Sequence, residues 1–184
     1  MNKRLSQIGI LISVLLLNSS LVISAETFNA AWVKQQALKV ASQYANSISC
    51  DTLIEENNLL ALIPWKNQKD LDEREDAEYA LIWHGDIGCY GGTGTFNPHI
   101  AIIKIRTGNS FFVDPLVSSP VVKFDVPVHR ITGIIKYSEK ELLLSAKDWG
   151  PNDPHCCPSI PVRILLKRDA KGNWKYIKKT KDPN

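Results

Sequence analysis

Residues 129–147 read HRITGIIKYSEKELLLSAK, and residues 161–178 read PVRILLKRDAKGNWKYIK. Each has two runs rich in β-branched and aliphatic residues around a short polar break. Ser138-Glu139-Lys140 joins the first pair, 129–137 and 141–147. Asp169-Ala170-Lys171-Gly172-Asn173 joins the second, 161–167 and 174–178. Both read as β-hairpins. Working back along the chain, residues 99–105 read as a buried strand. Arg106-Thr107-Gly108-Asn109 then turns it into 110–113. Residues 78–83 form a further strand candidate that ends at a glycine-rich turn.

Before residue 77 the texture differs. Ala30, Val33, Ala37, Val40, Tyr44 and Ile48 recur at three- and four-residue spacing, which places them on one face of a helix over 28–48. Thr27 or Asn29 can cap it. Residues 52–63, TLIEENNLLALI, predict a second, shorter helix that stops before Pro64. The charged stretch 66–76 reads as an exposed connection. A helix or two followed by consecutive hairpins predicts an α+β fold, the helices packed on an antiparallel sheet.

Residues 1–25, MNKRLSQIGILISVLLLNSSLVISA, carry Lys3 and Arg4, then an apolar run, then Ser24-Ala25. This order predicts a cleaved secretory signal peptide, its apolar run too short to span a bilayer. The expected remainder, 26–184, has the length of one globular domain. It carries 20 basic and 19 acidic residues, which argues against a nucleic-acid or anionic-membrane partner. The lysines between 171 and 181 read as a solvated strand and tail.

Cys50, Cys89, Cys156 and Cys157 make an even count, which in an exported chain predicts disulfides. Three complete pairings are open. A bridge between the adjacent Cys156 and Cys157 is the least expected, because it must distort the intervening peptide. The favoured arrangement sends each to a different partner, Cys50 or Cys89. Such long loops would give roughly 2–4 kcal/mol per bridge.

Two stretches are candidates for chemistry. The first, residues 84–95, is HGDIGCYGGTGT. Its glycines permit close backbone approach, but the Gly-Lys-Ser/Thr ending of a phosphate loop is missing. The second, residues 148–159, is DWGPNDPHCCPS, whose prolines, Asp and Asn demand turns. Adjacent cysteines are poorly spaced for one tetrahedral metal, so neither metal nor cofactor is expected. A thiol enzyme would have to be built from Cys89, His84, Asp86 and His155.

The order "strand, Gly85-Asp86, Gly92-Thr93-Gly94, apolar strand, hairpin, Asn152 through Ser159" resembles a group of exported bacterial proteins and lipoproteins of unassigned activity. They share a Gly-Ser/Thr-Gly loop and a C-terminal Asp-Pro-x-Cys-Cys-Pro-Ser turn. The resemblance spans residues 77–168. Where many of them have an Asp-Gly-Asp loop, this chain has His84-Gly85-Asp86-Ile87-Gly88, so no calcium site is implied. The resemblance implies a compartment and a fold, without a catalytic residue.

The expectation is a non-catalytic periplasmic or secreted protein, monomeric in isolation, that binds a protein or envelope component. An inhibitor or immunity protein against an envelope-directed enzyme is its sharpest form. Tyr90, Thr93, Phe96, His99 and Trp149 are the candidate contact residues. The alternatives are a small secreted hydrolase or thiol-dependent enzyme, and an accessory subunit of an envelope secretion or pilus machine.

Overall fold

A computed structural model describes residues 28–92, 94–124, 126–154 and 156–182. The signal-peptide reading of 1–25, the capping alternative Thr27 and the candidates Thr93 and His155 lie outside the described residues. The fold mixes helix with antiparallel sheet. Helix α1 (Ala30–Ile48) opens it, capped by the Asn29 side chain, which accepts from the Trp32 N–H at 2.7 Å. Its buried residues are Val33, Ala37, Ala41 and Ala45. That row is spaced four apart, and three alanines in it let the helix lie close against a sheet. The expected face is therefore rotated: Ala30 is exposed and Val40 half-buried.

Two antiparallel sheets follow where one was expected. In the first, β3 (Glu78–Ile87) pairs with β4 (Asn97–Arg106), and β4 with β5 (Ser110–Val113). On the other edge of β3 lie two short strands end to end. β1 (Ser49–Leu53) runs against Ile87, Gly85 and His84, and β2 (Leu59–Ile63) against residues 78–81. The second sheet is the ladder β6 (Arg130–Tyr137), β7 (Glu141–Asp148), β8 (Ile160–Arg168) and β9 (Trp174–Lys181). These are the hairpins read from the sequence. Between 66 and 76 the expected open connection contains helix α2 (Leu71–Asp76), capped by Asp70.

Strands β1 and β2 replace the predicted second helix. The apolar residues of 52–63 fit helical spacing, but the segment completes the edge of β3. Leu60 and Leu62 then face the second sheet, while Leu59 packs under α1. Pairing with a strand distant in sequence overrides the local preference.

The first sheet is buried on both faces, which explains why β4 shows almost no polar alternation. Ala80, Ile82, Ile100 and Ile102 meet Leu142, Leu144, Ile164 and Leu166 of the second sheet. Tyr79, Leu81, Trp83, Ala101, Ile103 and Ile105 meet α1. At one end the sheets are joined by charge. Glu78, 2% exposed, accepts from Arg168 Nη1 and Nη2 (2.5 and 3.0 Å) and from Lys104 Nζ (2.5 Å). Burial opposes ionisation of that carboxyl, but the hydrogen bonds and charges of Arg168 and Lys104 outweigh it and hold the pKa below the ordinary value. No helix among the described residues is long and apolar enough to cross a membrane.

The cysteine pairing differs from the expectation. Cys50 is bridged to Cys89, with Cα atoms 5.2 Å apart, and Cys156 is bridged to Cys157. Strand β1 explains this. It places Cys50 beside the far end of β3, where the chain turns through Gly88 and Cys89. No described cysteine carries a free thiol.

Candidate functional site

The opposite end of the sheets gathers the glycine loop, β1, the start of β6 and the Cys156-Cys157 turn. Strand β3 runs four residues past Trp83, so His84, Gly85 and Asp86 belong to a strand and not to a loop. Gly85 is needed there for space. A Cβ on it would lie 2.4 Å from the Trp83 ring, 2.6 Å from Ser49 Oγ and 2.8 Å from the Asp51 carbonyl oxygen. The turn proper starts at Gly88, whose φ of 92° favours glycine. Asp86 is buried and closes this turn by accepting the Gly91 N–H at 2.7 Å. Its Oδ1 has no hydrogen-bond partner among the described residues.

A cleft of about 610 Å³ opens between these elements. Its lining includes Asp51, Thr52 and Leu53 of β1, His84 and Phe96, His129 and Arg130 at the head of β6, and Cys156. His84 is only 3% exposed. Its Nε2 accepts the backbone N–H of Ile131 at 3.1 Å. Strand β6 is the edge of its sheet, so that buried N–H would otherwise lack a partner. Phe96 stacks over the imidazole, with centroids 6.1 Å apart and planes 15° from parallel. Burial first, then the charges of Arg130, His99 and His129, lower the His84 pKa from 6.5 to about 4. The ring is neutral at physiological pH. Because Nε2 accepts, its proton sits on Nδ1.

The candidate contact residues divide. Tyr90 stands at the loop tip, 82% exposed, on a backbone tied to β1 through Cys89. Phe96 is half-buried in the cleft wall. Trp149 is 40% exposed and packs against His129, centroids 5.6 Å apart. His99 belongs elsewhere. It pairs with Trp83 on the α1 side of the sheet and its Nε2 meets the Gly85 carbonyl at 3.1 Å. It lines a smaller hollow of about 290 Å³ with Pro98, Pro120, Val122 and Phe124. Burial lowers its pKa, opposed by the Gly85 bond.

The Cys156-Cys157 turn is organised by Asp153. Its carboxylate accepts from the Gly150 and Ser159 N–H groups, both at 2.7 Å, and from Ser159 Oγ at 2.8 Å. These bonds hold its pKa below the ordinary value. Of the residues named for a thiol enzyme, Cys89 is bridged, and Asp86 holds the turn while His84 anchors β6. Among the described residues no three His, Cys, Asp or Glu side chains are grouped to hold a metal.

Sequence reasoning missed Asp51, Thr52, Leu53 and Arg130. The first three lie at or within the segment read as helix. His129-Arg130 lies some 45 positions after His84, and nothing local signals that β6 docks on that histidine.

No protein-family model, curated protein or solved structure matches this chain.

Proposed function

We propose that this chain is an exported, periplasmic binding protein that acts by contact with a protein partner. The contact surface is the end of the sheets formed by residues 88–96 and the turn 149–159. The observation that carries the reading is Tyr90. A large ring is held 82% exposed by a turn that the Cys50–Cys89 bridge fixes to the sheet edge. Tyrosine offers a broad amphipathic contact at small entropic cost, and pre-organisation of its loop lowers the cost of binding. Trp149, packed on His129 of the cleft lining, adds a second exposed ring. The two disulfides agree with an oxidising compartment. The sharpest form of the reading is inhibition or immunity, with this end of the molecule set into the cleft of an envelope-directed enzyme.

The test is binding of the partner, once captured in the oxidising compartment and purified, to the wild-type chain and to Tyr90→Ala. The variant is expected to melt with the wild type, because the ring is exposed, and to bind more weakly by about tenfold or more. Undiminished binding would remove the loop from the contact surface. In the inhibitor form, the partner is a hydrolase whose turnover falls as the complex forms.

A further inference from the structure

The cleft that Gly92 of the glycine loop lines contains two donors that nothing in the described fold uses. The first is the Nδ1–H of His84, a side chain 3% exposed whose other nitrogen is committed to Ile131. The second is the guanidinium of Arg130, exposed at the head of β6, for which no salt bridge or hydrogen bond is formed among the described residues. Both line the same cavity. The Nδ1 atom is not among the fully enclosed unpartnered atoms of the fold, so it opens on the cleft and is free to donate to a guest there.

The neighbours define the acceptor. Arg130 is a permanent positive charge close enough to act on His84, so this end of the cleft favours an anion. Asp51 is the one carboxylate among the lining residues, and it opposes a doubly charged guest. The hydroxyl of Thr52 is spent on Asn46 Oδ1 at 2.5 Å, so it adds no donor. Among the described lining residues, Arg130 is the one permanent cation, and the neutral His84 N–H opens on the same cleft. That set matches a planar, singly charged group that takes the guanidinium in a fork. Phe96 and Leu53 supply apolar wall for the carbon chain that carries it. The volume, about 610 Å³, falls in the range of sites that enclose a side chain or small molecule rather than a bare ion.

We infer that this cleft is a carboxylate-binding site, in which Arg130 and the His84 Nδ1–H hold the carboxylate while Phe96 packs along its aliphatic stem. The inference rests on reading this end of the sheets as the contact surface. It deepens that reading by naming what the partner inserts: an Asp or Glu side chain, or a chain terminus. A free small carboxylate would be held by the same groups.

The experiment is an NMR titration of the isotopically labelled chain, prepared with its disulfides formed. The probes are N-acetyl-glutamate amide, its neutral isostere N-acetyl-glutamine amide, and inorganic phosphate. The glutamate probe is expected to shift the His84 ring nitrogen resonances saturably, and the glutamine probe to leave them in place. Arg130→Gln, at an exposed position, keeps the wild-type melting temperature and weakens the glutamate probe by about tenfold. Arg130→Lys recovers part of the loss. Equal response to the neutral probe, or undiminished binding in Arg130→Gln, overturns the site. Tighter binding of phosphate overturns the carboxylate class. The source is then separated with the captured partner: replacing its inserted acidic residue by the amide lowers affinity for wild type but not for Arg130→Gln. Saturable binding of the glutamate probe in a chain whose Tyr90 contacts no protein would keep the site and refute the protein partner.

Discussion

Removing the two disulfides separately should have very different effects. Cys50 and Cys89 are 39 residues apart, whereas Cys156 and Cys157 are adjacent. On the chain-entropy account, closing a loop of that first length restricts the unfolded chain by about 4 kcal/mol, while bridging neighbours contributes only about 1 kcal/mol. For a domain of this size, about 4 kcal/mol corresponds to roughly 8–15 °C in melting temperature. Cys50→Ala with Cys89→Ala should therefore lower the urea midpoint strongly. Cys156→Ala with Cys157→Ala should leave it nearly in place, because Asp153 still closes that turn through Gly150 and Ser159. The assay is urea unfolding followed by tryptophan fluorescence, with the slope checked for constancy between variants. Equal destabilisation by the two double variants would refute the reasoning. That result is what the cross-paired arrangement expected from the sequence would give, since each double variant would then remove both bridges.

Acid should weaken the fold through His84. Its folded pKa is about 4 against an ordinary 6.5, so the unfolded chain takes up the proton first. Stability is full above 6.5 and falls as pH drops toward 4, by about 2 kcal/mol between pH 7.5 and pH 5. His99, also lowered by burial, adds the same sign. His84→Gln should reduce the slope of the urea midpoint against pH without abolishing it, and an unchanged slope would contradict the assignment. At the other end of the sheets, Arg168→Met leaves Glu78 buried with Lys104 alone. The expected loss is about 3 kcal/mol, partly recovered by adding Glu78→Gln. A loss below about 1 kcal/mol by chemical denaturation would show that the charge cluster does not join the sheets.

The second sheet was legible because each of its hairpins carries its own turn: Ser138 accepts from the N–H groups of Lys140 and Glu141, and Asp169 from those of Lys171 and Asn173. Local chemistry fixed those elements. Strands β1 and β2 were not legible, because their conformation is decided by the free edge of β3. The cysteine pairing depended on the same fact: only once β1 lies on β3 does Cys50 approach Cys89. The glycine stretch was misread at its start, since Gly85 serves close packing within a strand and the turn begins three residues later. Of the contact candidates, Phe96 lines the cleft, Trp149 packs on His129 of its lining, and Tyr90 stands exposed on the neighbouring loop. His99 falls on the other face because alternation along β4 turns it toward Trp83. The cleft itself was invisible, because Arg130 meets His84 only when one sheet docks on the other.

The central claim is that the Tyr90 end of the molecule is where a protein partner sits. Position-resolved photocrosslinking tests it most directly. A benzoylphenylalanine replaces Tyr90 in one chain and Ile177, an exposed residue of β9, in another, both produced in the oxidising compartment. A single discrete adduct is expected from position 90 and none from position 177. An adduct from position 177 with none from position 90 would contradict the claim.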